Sequence, residues 1–339
     1  MAKERAVRVV QYGLGPIGIE CVKTVLAKSG SGVELVGAID IDPDKAGRDV
    51  AVVAGLEAPT GIEVSSDARA VLSAVKPHVV LHTTTSFLDR IFEQFEHCID
   101  AGANVVSSTE ELLYPFDRHP ELSARLDELA RRGGVSVLGT GVNPGFVMDT
   151  LALIASGVCT SVRRIEAERV VDAGQRRLPL QRKVGAGLTA EEFAERKRAG
   201  TIGHIGLLES MLLVAAGMDW HLDRVAENLD PVMATETVST PHLQVQPGQV
   251  AGIHHTVEGY RGSERILALD LKMYVGALNP HDAVRVDGDP PIDLEIRGGV
   301  FGDTATVGAL INAIPLVLAA PAGLQTMKDL PVPRAFATI

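Results

Sequence analysis

Three groups of residues have types and spacings suited to chemistry. Residues 9–18 read VVQYGLGPIG, so Gly13, Gly15 and Gly18 fall in the order GxGxxG directly after an apolar run. With Leu14, Pro16 and Ile17 they form a dinucleotide-type turn. The first glycine lets the chain turn, the second lets the backbone approach a pyrophosphate, and the third lets helix pack on strand, while free N–H groups at the helix start face the anion. A second apolar run follows at 33–39 and ends on Asp40, about 20 residues beyond the last glycine, where a carboxylate can accept a hydrogen bond from a ribose 2′-hydroxyl. That arrangement favours NAD over NADP as cofactor. Ile41, Asp42 and Pro43 follow Asp40, so no arginine stands ready for a 2′-phosphate, and Lys45 is a weak substitute. An incidental glycine-rich turn would lack the strand, helix, strand and acid that surround this one.

The other two groups lie after later apolar runs. His82, Thr83 and Thr84 open a polar stretch that continues through Thr85 and Ser86. In an open α/β sheet, ligands bind outside the carboxyl ends of the strands. His82, Thr83 and Thr84 are therefore expected to line the ribose and nicotinamide, although the same hydroxyls could cap a following helix. Thr109-Glu110-Glu111 ends the next run and brings a carboxylate to the nicotinamide side. Either glutamate could manage a proton while the cofactor manages a hydride, and either could instead be a solvated acid at a helix start. Further on, Arg169, Arg176, Arg177, Gln181 and Lys183 form a basic segment suited to an anionic substrate group or to internal ion pairs. The histidines, among them His204, His254 and His255, have no sequence context that names a role.

The elements that must position these groups are legible as periodicity. Up to about residue 150, apolar runs of strand length alternate with amphipathic segments, the pattern of a doubly wound parallel sheet of Rossmann type. Strands are expected at 7–12, 33–40, 78–81, 103–108 and 135–138, and helices at 16–28, 44–54, 67–75, 87–101 and 119–132, with Ser66 and Pro120 as starts. Asn143-Pro144-Gly145 breaks the pattern, and an apolar helix over 146–156 leads into a second domain, 151–339. That domain reads as α+β on a mainly antiparallel sheet, with strands at 162–171, 236–243, 250–260 and 266–275 and helices at 189–198 and 204–217. A helix within 303–320 is expected to return to the first domain.

Composition narrows the function classes. The chain has 339 residues, 46% of them hydrophobic, and a formal net charge of −11. Two domains of a globular enzyme fit that length. A nucleic-acid surface would need clustered cations, which are absent. The longest apolar run, 307–320, contains Asn312 and Pro315 and falls short of a membrane span of about 20 residues, so a buried helix is expected. Residues 1–5 lead into no signal core, and Cys21, Cys98 and Cys159 lack the spacing of a zinc or redox motif. A reducing cytoplasm and no metal are expected.

Several segments together carry a resemblance that covers nearly the whole chain: GLGPIG, AIDIDPDKAG, SSTEELLYP, GTGVNPGFVMDTL, RVVDAGQRRLPLQRKVGAGLT, GHIG, VAGIHH and GGVFGDTATVGALIN. They resemble the 2,4-diaminopentanoate dehydrogenases and related native amine dehydrogenases, which share a dihydrodipicolinate-reductase-like cofactor domain. The resemblance implies an NAD(P)-dependent enzyme that oxidises an amine to a carbonyl compound and ammonia, or runs the reductive amination of aldehydes and ketones, commonly as a homodimer. It implies that Glu110 is the catalytic glutamate, that Asn143, Met148 and Arg169 border the pocket, and that His254 or His255 reaches in. The family often has a cysteine before the glutamate, where this chain has Thr109. If Arg169 holds a carboxylate, a diamino acid fits; if it pairs with Asp172 or Glu168, a plain amine, ketone or aldehyde fits better. Dihydrodipicolinate reductases themselves carry a lysine and a Ser-Gly-Thr motif after paired histidines, and this chain does not. Other readings are an alcohol or hydroxy-acid dehydrogenase and a nucleotide sensor without turnover.

Overall fold

The fold is taken from a computed structural model in which residues 6–337 are described. The absence of an export signal read from residues 1–5 therefore lies outside the described residues. The chain divides into two compact units, one comprising residues 1–145 with 301–339 and the other Phe146–Val300.

In the first unit β1 (Val7–Tyr12), α1 (Pro16–Ala27), β2 (Val33–Ile39), α2 (Val50–Ala54), β3 (Val64–Ser65), α3 (Ala68–Val75), β4 (Val79–His82), α4 (Phe92–Asp100), β5 (Asn104–Ser107), α5 (Pro120–Gly133) and β6 (Ser136–Gly139) follow one another. Val9, Val10, Val79, Val80, Leu81, Val105, Val106, Val137 and Leu138 are all fully buried, as expected of strands covered on both faces. α2 is shorter than the 44–54 expectation because Asp49 caps it, accepting a 2.7 Å hydrogen bond from the Ala51 N–H. Asp67 rather than Ser66 caps α3, accepting from the Ala70 N–H at 2.9 Å. α4 starts at Phe92 and not at residue 87, because Leu88 is buried and its N–H is held by Glu111.

The second unit contains α6 (Thr150–Ser156), β7 (Ser161–Asp172), α7 (Leu178–Lys183), α8 (Ala190–Arg198), α9 (Leu207–Gly217), β8 (Arg224–Met233), β9 (Val238–Ser239), β10 (Gln244–Val245), β11 (Val250–Arg261), β12 (Glu264–Tyr274), β13 (His281–Asp289) and β14 (Ile292–Arg297). Six strands form one sheet in the order β14-β13-β7-β12-β11-β8. Only the β7–β12 junction is parallel. The strand expected at 236–243 is corrected: only β9 lies there, paired with β10, and the long edge strand is β8, whose Pro231 and polar residues hid it from a periodicity reading. Ser161–Asp172 and Val250–Arg261 supply Arg169, His254 and His255.

The chain then returns to the first unit through α10 (Gly302–Asn312), α11 (Ile314–Ala319) and β15 (Gly323–Gln325). β15 pairs in parallel with β6, giving a seven-stranded sheet in the order β15-β6-β5-β4-β1-β2-β3. The second unit thus ends at Val300 and not at the C-terminus. By length and composition the stretch Gly302–Ala319 could cross a membrane. It is instead two helices, divided at Ala313 just before Pro315, which lacks the N–H a continuous helix needs; α10 packs on α1, and α11 on β5 and β6.

Candidate active site

The glycine turn is built by close backbone approach. Gly13 has a φ of 93°, and a Cβ on it would stand 2.5 Å from the Thr83 carbonyl oxygen; a Cβ on Gly18 would stand 1.9 Å from the Gly13 carbonyl oxygen. The turn is held from beneath by a buried polar side chain. The Gln11 amide donates to the Gly13 carbonyl at 2.9 Å and to the Thr83 hydroxyl at 2.8 Å, and that hydroxyl donates to the same carbonyl at 2.9 Å. Leu14 is fully buried, and its N–H donates to Asp40 Oδ2 at 2.6 Å. Gly15 caps α1, with Pro16 as its first residue. The N–H groups of Ile17 and Gly18 consequently have no acceptor within the helix. A Cβ on Gly15 would meet nothing within 4 Å, so the helix start faces open space. A tight turn, an open cradle and N–H groups without helical acceptors fit a pyrophosphate, and Asp40 stands at the end of β2 as a ribose acceptor should.

His82 takes a different place from the one expected. It is fully buried, with Nδ1 2.9 Å from Ser107 Oγ and Nε2 2.8 Å from Gln94 Oε1. Its ring packs against Tyr12 and Phe95 at centroid distances of 5.4 and 4.8 Å. Burial pushes its pKa down to about 4, against a smaller opposing effect of the Gln94 contact, so the ring is neutral at physiological pH. The expectation that His82 lines the cofactor is therefore corrected: it is a core group. Thr84 beside it is exposed, 3.1 Å from His82 Nε2 and donating to Gln94 at 3.0 Å.

The adjacent glutamates separate cleanly. Both lie on a short 3₁₀ turn, Glu110–Leu113, that follows β5. Glu111 is buried; its Oε2 accepts the Leu88 N–H at 2.8 Å and lies 2.8 Å from His119 Nε2, and its Oε1 is 3.7 Å from Arg118 Nε. The Glu111 N–H donates to the Ser86 carbonyl at 3.2 Å, and the Thr109 hydroxyl donates to the Thr85 carbonyl at 2.8 Å. These bonds staple the 3₁₀ turn to the 85–88 loop after β4. Glu110 is half-buried, and its carboxylate has no hydrogen bond or ion pair to any described residue. Asn143, beyond the end of β6, has both side-chain polar atoms buried without a hydrogen-bond partner. Buried amides are normally satisfied, so the Asn143 side chain stands out beside Glu110 as a polar group without a partner among the described residues.

In the second unit the expected pocket residues are scattered in character. Met148 is fully buried. Arg169 is buried and spent internally: Nη1 donates to Asp282 Oδ1 at 2.6 Å and Nη2 to the Val300 carbonyl at 2.8 Å. Neither Asp172 nor Glu168 is its partner. Asp282 sits directly across from Arg169 in the β13–β7 register, and its Oδ2 accepts the Val300 N–H at 2.7 Å. Burial lowers the Arg169 pKa, and Asp282 opposes that shift. His254 is half-exposed, with Nε2 2.9 Å from Asp270 Oδ1, whereas His255 is buried, with Nε2 2.8 Å from Glu227 Oε1. Neighbours on a strand point to opposite faces, so the two histidines cannot share one role.

Residues 146–338 match the family described as 2,4-diaminopentanoate dehydrogenase C-terminal domain. The chain is also 31% identical to the 2,4-diaminopentanoate dehydrogenase of Acetoanaerobium sticklandii, over 97% of this chain and 94% of that protein. The chain belongs to the 2,4-diaminopentanoate dehydrogenase family. Another relative of this dehydrogenase family member is an amine dehydrogenase of Streptomyces virginiae, 25% identical over 96% of each protein. The solved amine dehydrogenase of Mycobacterium smegmatis superposes with a TM-score of 0.87 at 26% identity and covers 99% of both chains. A dihydrodipicolinate reductase from Paenisporosarcina, at 15% identity and a TM-score of 0.52, shares the fold.

Sequence reasoning missed Gln11, Gln94 and Asp282 as working parts, and named Glu111 without its structural partners. A glutamine inside an apolar strand was a usable signal for the first. Asp282 carried none, because its pairing with Arg169 depends on strand register across the second sheet.

Proposed function

We infer that this dehydrogenase is a nicotinamide-dependent amine dehydrogenase that oxidises a small amine to a carbonyl compound and ammonia, and runs reductive amination in reverse, with Glu110 as its catalytic acid–base. The observation that carries the reading is the contrast between the adjacent glutamates: Glu111 is saturated with structural partners, and Glu110 is a half-buried carboxylate with none. A group that exchanges protons with substrate needs its lone pairs free. Asp40, the glycine turn, Thr84 and Asn143 would hold the cofactor, and the exposed Ile41 next to Asp40 offers an apolar face for a purine. Asp40 favours NAD over NADP.

A bound nicotinamide supplies the hydride acceptor for oxidation or the donor for amination. Glu110 takes a proton from the substrate ammonium, leaving a neutral amine whose lone pair can assist loss of hydride from the adjacent carbon. Once that proton has passed to solvent, the carboxylate withdraws a proton from the water that attacks the iminium carbon and passes it to the nitrogen, then takes the hydroxyl proton as ammonia departs and the carbonyl forms. In the aminating direction Glu110 gives those protons back in reverse order.

Because Arg169 is spent on Asp282 and Val300, a substrate carboxylate would need another cation, and a plain amine, aldehyde or ketone is the substrate class this arrangement supports. A homodimer in a reducing cytoplasm completes the proposal; the free thiols of Cys21, Cys98 and Cys159 suit that compartment. The test is NADH oxidation with small aldehydes, ketones and 2-amino-4-oxopentanoate, each with and without ammonium at alkaline pH. Turnover that requires ammonium supports the reading. Turnover indifferent to ammonium overturns it in favour of an alcohol dehydrogenase or carbonyl reductase.

A further inference from the structure

Three charged side chains meet at the end of β2. Lys45 Nζ lies 3.2 Å from Asp40 Oδ2 and 3.2 Å from Asp42 Oδ2. Asp40 is further committed: Oδ2 accepts the Leu14 N–H and Oδ1 accepts the Asp42 N–H at 2.9 Å. A carboxylate has about four lone-pair positions, so with three donors in place one remains for a ribose hydroxyl. Lys45 has three N–H donors, two of which face carboxylates, so one remains for an anion. Burial opposes the Lys45 charge, but the hydrogen bonds to Asp42 and Asp40 outweigh it and hold the pKa above the ordinary lysine value. The cation is therefore present throughout the neutral range.

We propose that the Asp40–Lys45–Asp42 cluster sets a graded discrimination between NAD and NADP, with Lys45 as the group that admits a 2′-phosphate and Asp42 as the tether that restrains it. The inference rests on the nicotinamide reading above. Its logic is charge counting. As it stands the cluster carries one net negative charge, which repels a phosphate monoester while Lys45 offers one charge-assisted hydrogen bond. Asp42→Asn brings the cluster to neutrality and loosens Lys45. Lys45→Ala doubles the negative charge and removes the donor. The two substitutions thus move NADP(H) in opposite directions at the same site. Asp42 is 40% exposed in its side chain and Lys45 25%, so neither is a core residue whose loss endangers folding.

The experiment is direct binding, read by nicotinamide fluorescence on titrating NADH and NADPH into the wild-type protein and both variants, with the ratio of the two dissociation constants as the readout. Wild type is expected to bind NADH more tightly but NADPH measurably. Asp42→Asn should shift the ratio toward NADPH by roughly fivefold, and Lys45→Ala should shift it toward NADH by at least as much, from one unit of charge acting on a divalent phosphate in a wet site. Both shifts should shrink at high salt. A ratio unchanged in both variants, or moved the same way by both, overturns the assignment while leaving the nicotinamide reading intact. Wild-type protein that binds neither nucleotide overturns the nicotinamide reading and this inference with it.

Discussion

Glu110 and Glu111 differ by one position and should fail in different ways. Replacing Glu111 by leucine removes the acceptor of the Leu88 N–H and the partner of His119. Leaving a buried N–H unpaired costs about 1–3 kcal/mol, and the lost contact to His119 adds about 1 kcal/mol. In a domain of this size each kcal/mol lowers the apparent Tm by about 2–4 °C, so a fall of about 5–15 °C is expected. Turnover should fall as well, because the staple that orients the 3₁₀ turn and the 85–88 loop is loosened. Replacing Glu110 by glutamine removes no side-chain hydrogen bond or ion pair to any described residue, so stability should stay within about 0.5 kcal/mol of wild type. Its ammonium-dependent turnover should drop by about 10²–10⁴, the usual contribution of a positioned acid–base. Thermal unfolding and NADH oxidation on the same preparations decide the matter. If Glu110→Gln keeps wild-type turnover, or if it unfolds as early as Glu111→Leu, the division of labour argued from their partners is wrong.

Other outcomes follow from the same geometry. Gly18→Ala should abolish NADH binding without unfolding the second unit, since its Cβ would stand 1.9 Å from the Gly13 carbonyl oxygen; retained affinity in a titration would show that the turn can relax. His82 in the folded chain resists protonation, with a pKa near 4, and the unfolded chain takes the proton from about pH 6.5 downward, so its contribution to stability is fully present above pH 6.5 and lost as pH falls toward 4. That loss amounts to about 3 kcal/mol at most; urea midpoints at pH 5 and 7 should differ more for wild type than for His82→Gln, and equal differences would place the acid sensitivity elsewhere. Arg169→Met should destabilise by about 3–5 kcal/mol by stranding the buried Asp282, and the double variant with Asp282→Leu should recover much of it. No recovery in denaturant unfolding would mean that Arg169 does more than pair with Asp282.

Much of the first unit was legible because its strands are continuous apolar runs and its glycines occupy positions that few other residues tolerate. β3 and β15 were not, since strands of two or three residues are shorter than any period they could display. In the second unit β7, β11 and β12 announced themselves by β-branched runs, whereas β8 carries Pro231 at the edge of the sheet, where a missing N–H is tolerated. Residue type found the candidate site, but the role of each member came from its partners. His82 and Thr84 look equivalent in a polar run after a strand, yet one is fully buried and the other exposed. Glu110 and Glu111 look equally like helix-start acids until the Leu88 N–H and His119 are seen to claim one of them. The salt bridge between Arg169 and Asp282 is set by strand register, which a linear reading does not contain.

The return of the chain to the first sheet has a consequence for how the protein is made. β15 and α10 complete a unit that begins at β1, and all of Phe146–Val300 is synthesised between them. On the ribosome the second unit is available as a contiguous stretch while the nucleotide unit still lacks an edge strand and the helix that packs on α1. The open edge of β6 therefore waits through the synthesis of a whole further unit, and β15 is the piece that closes it.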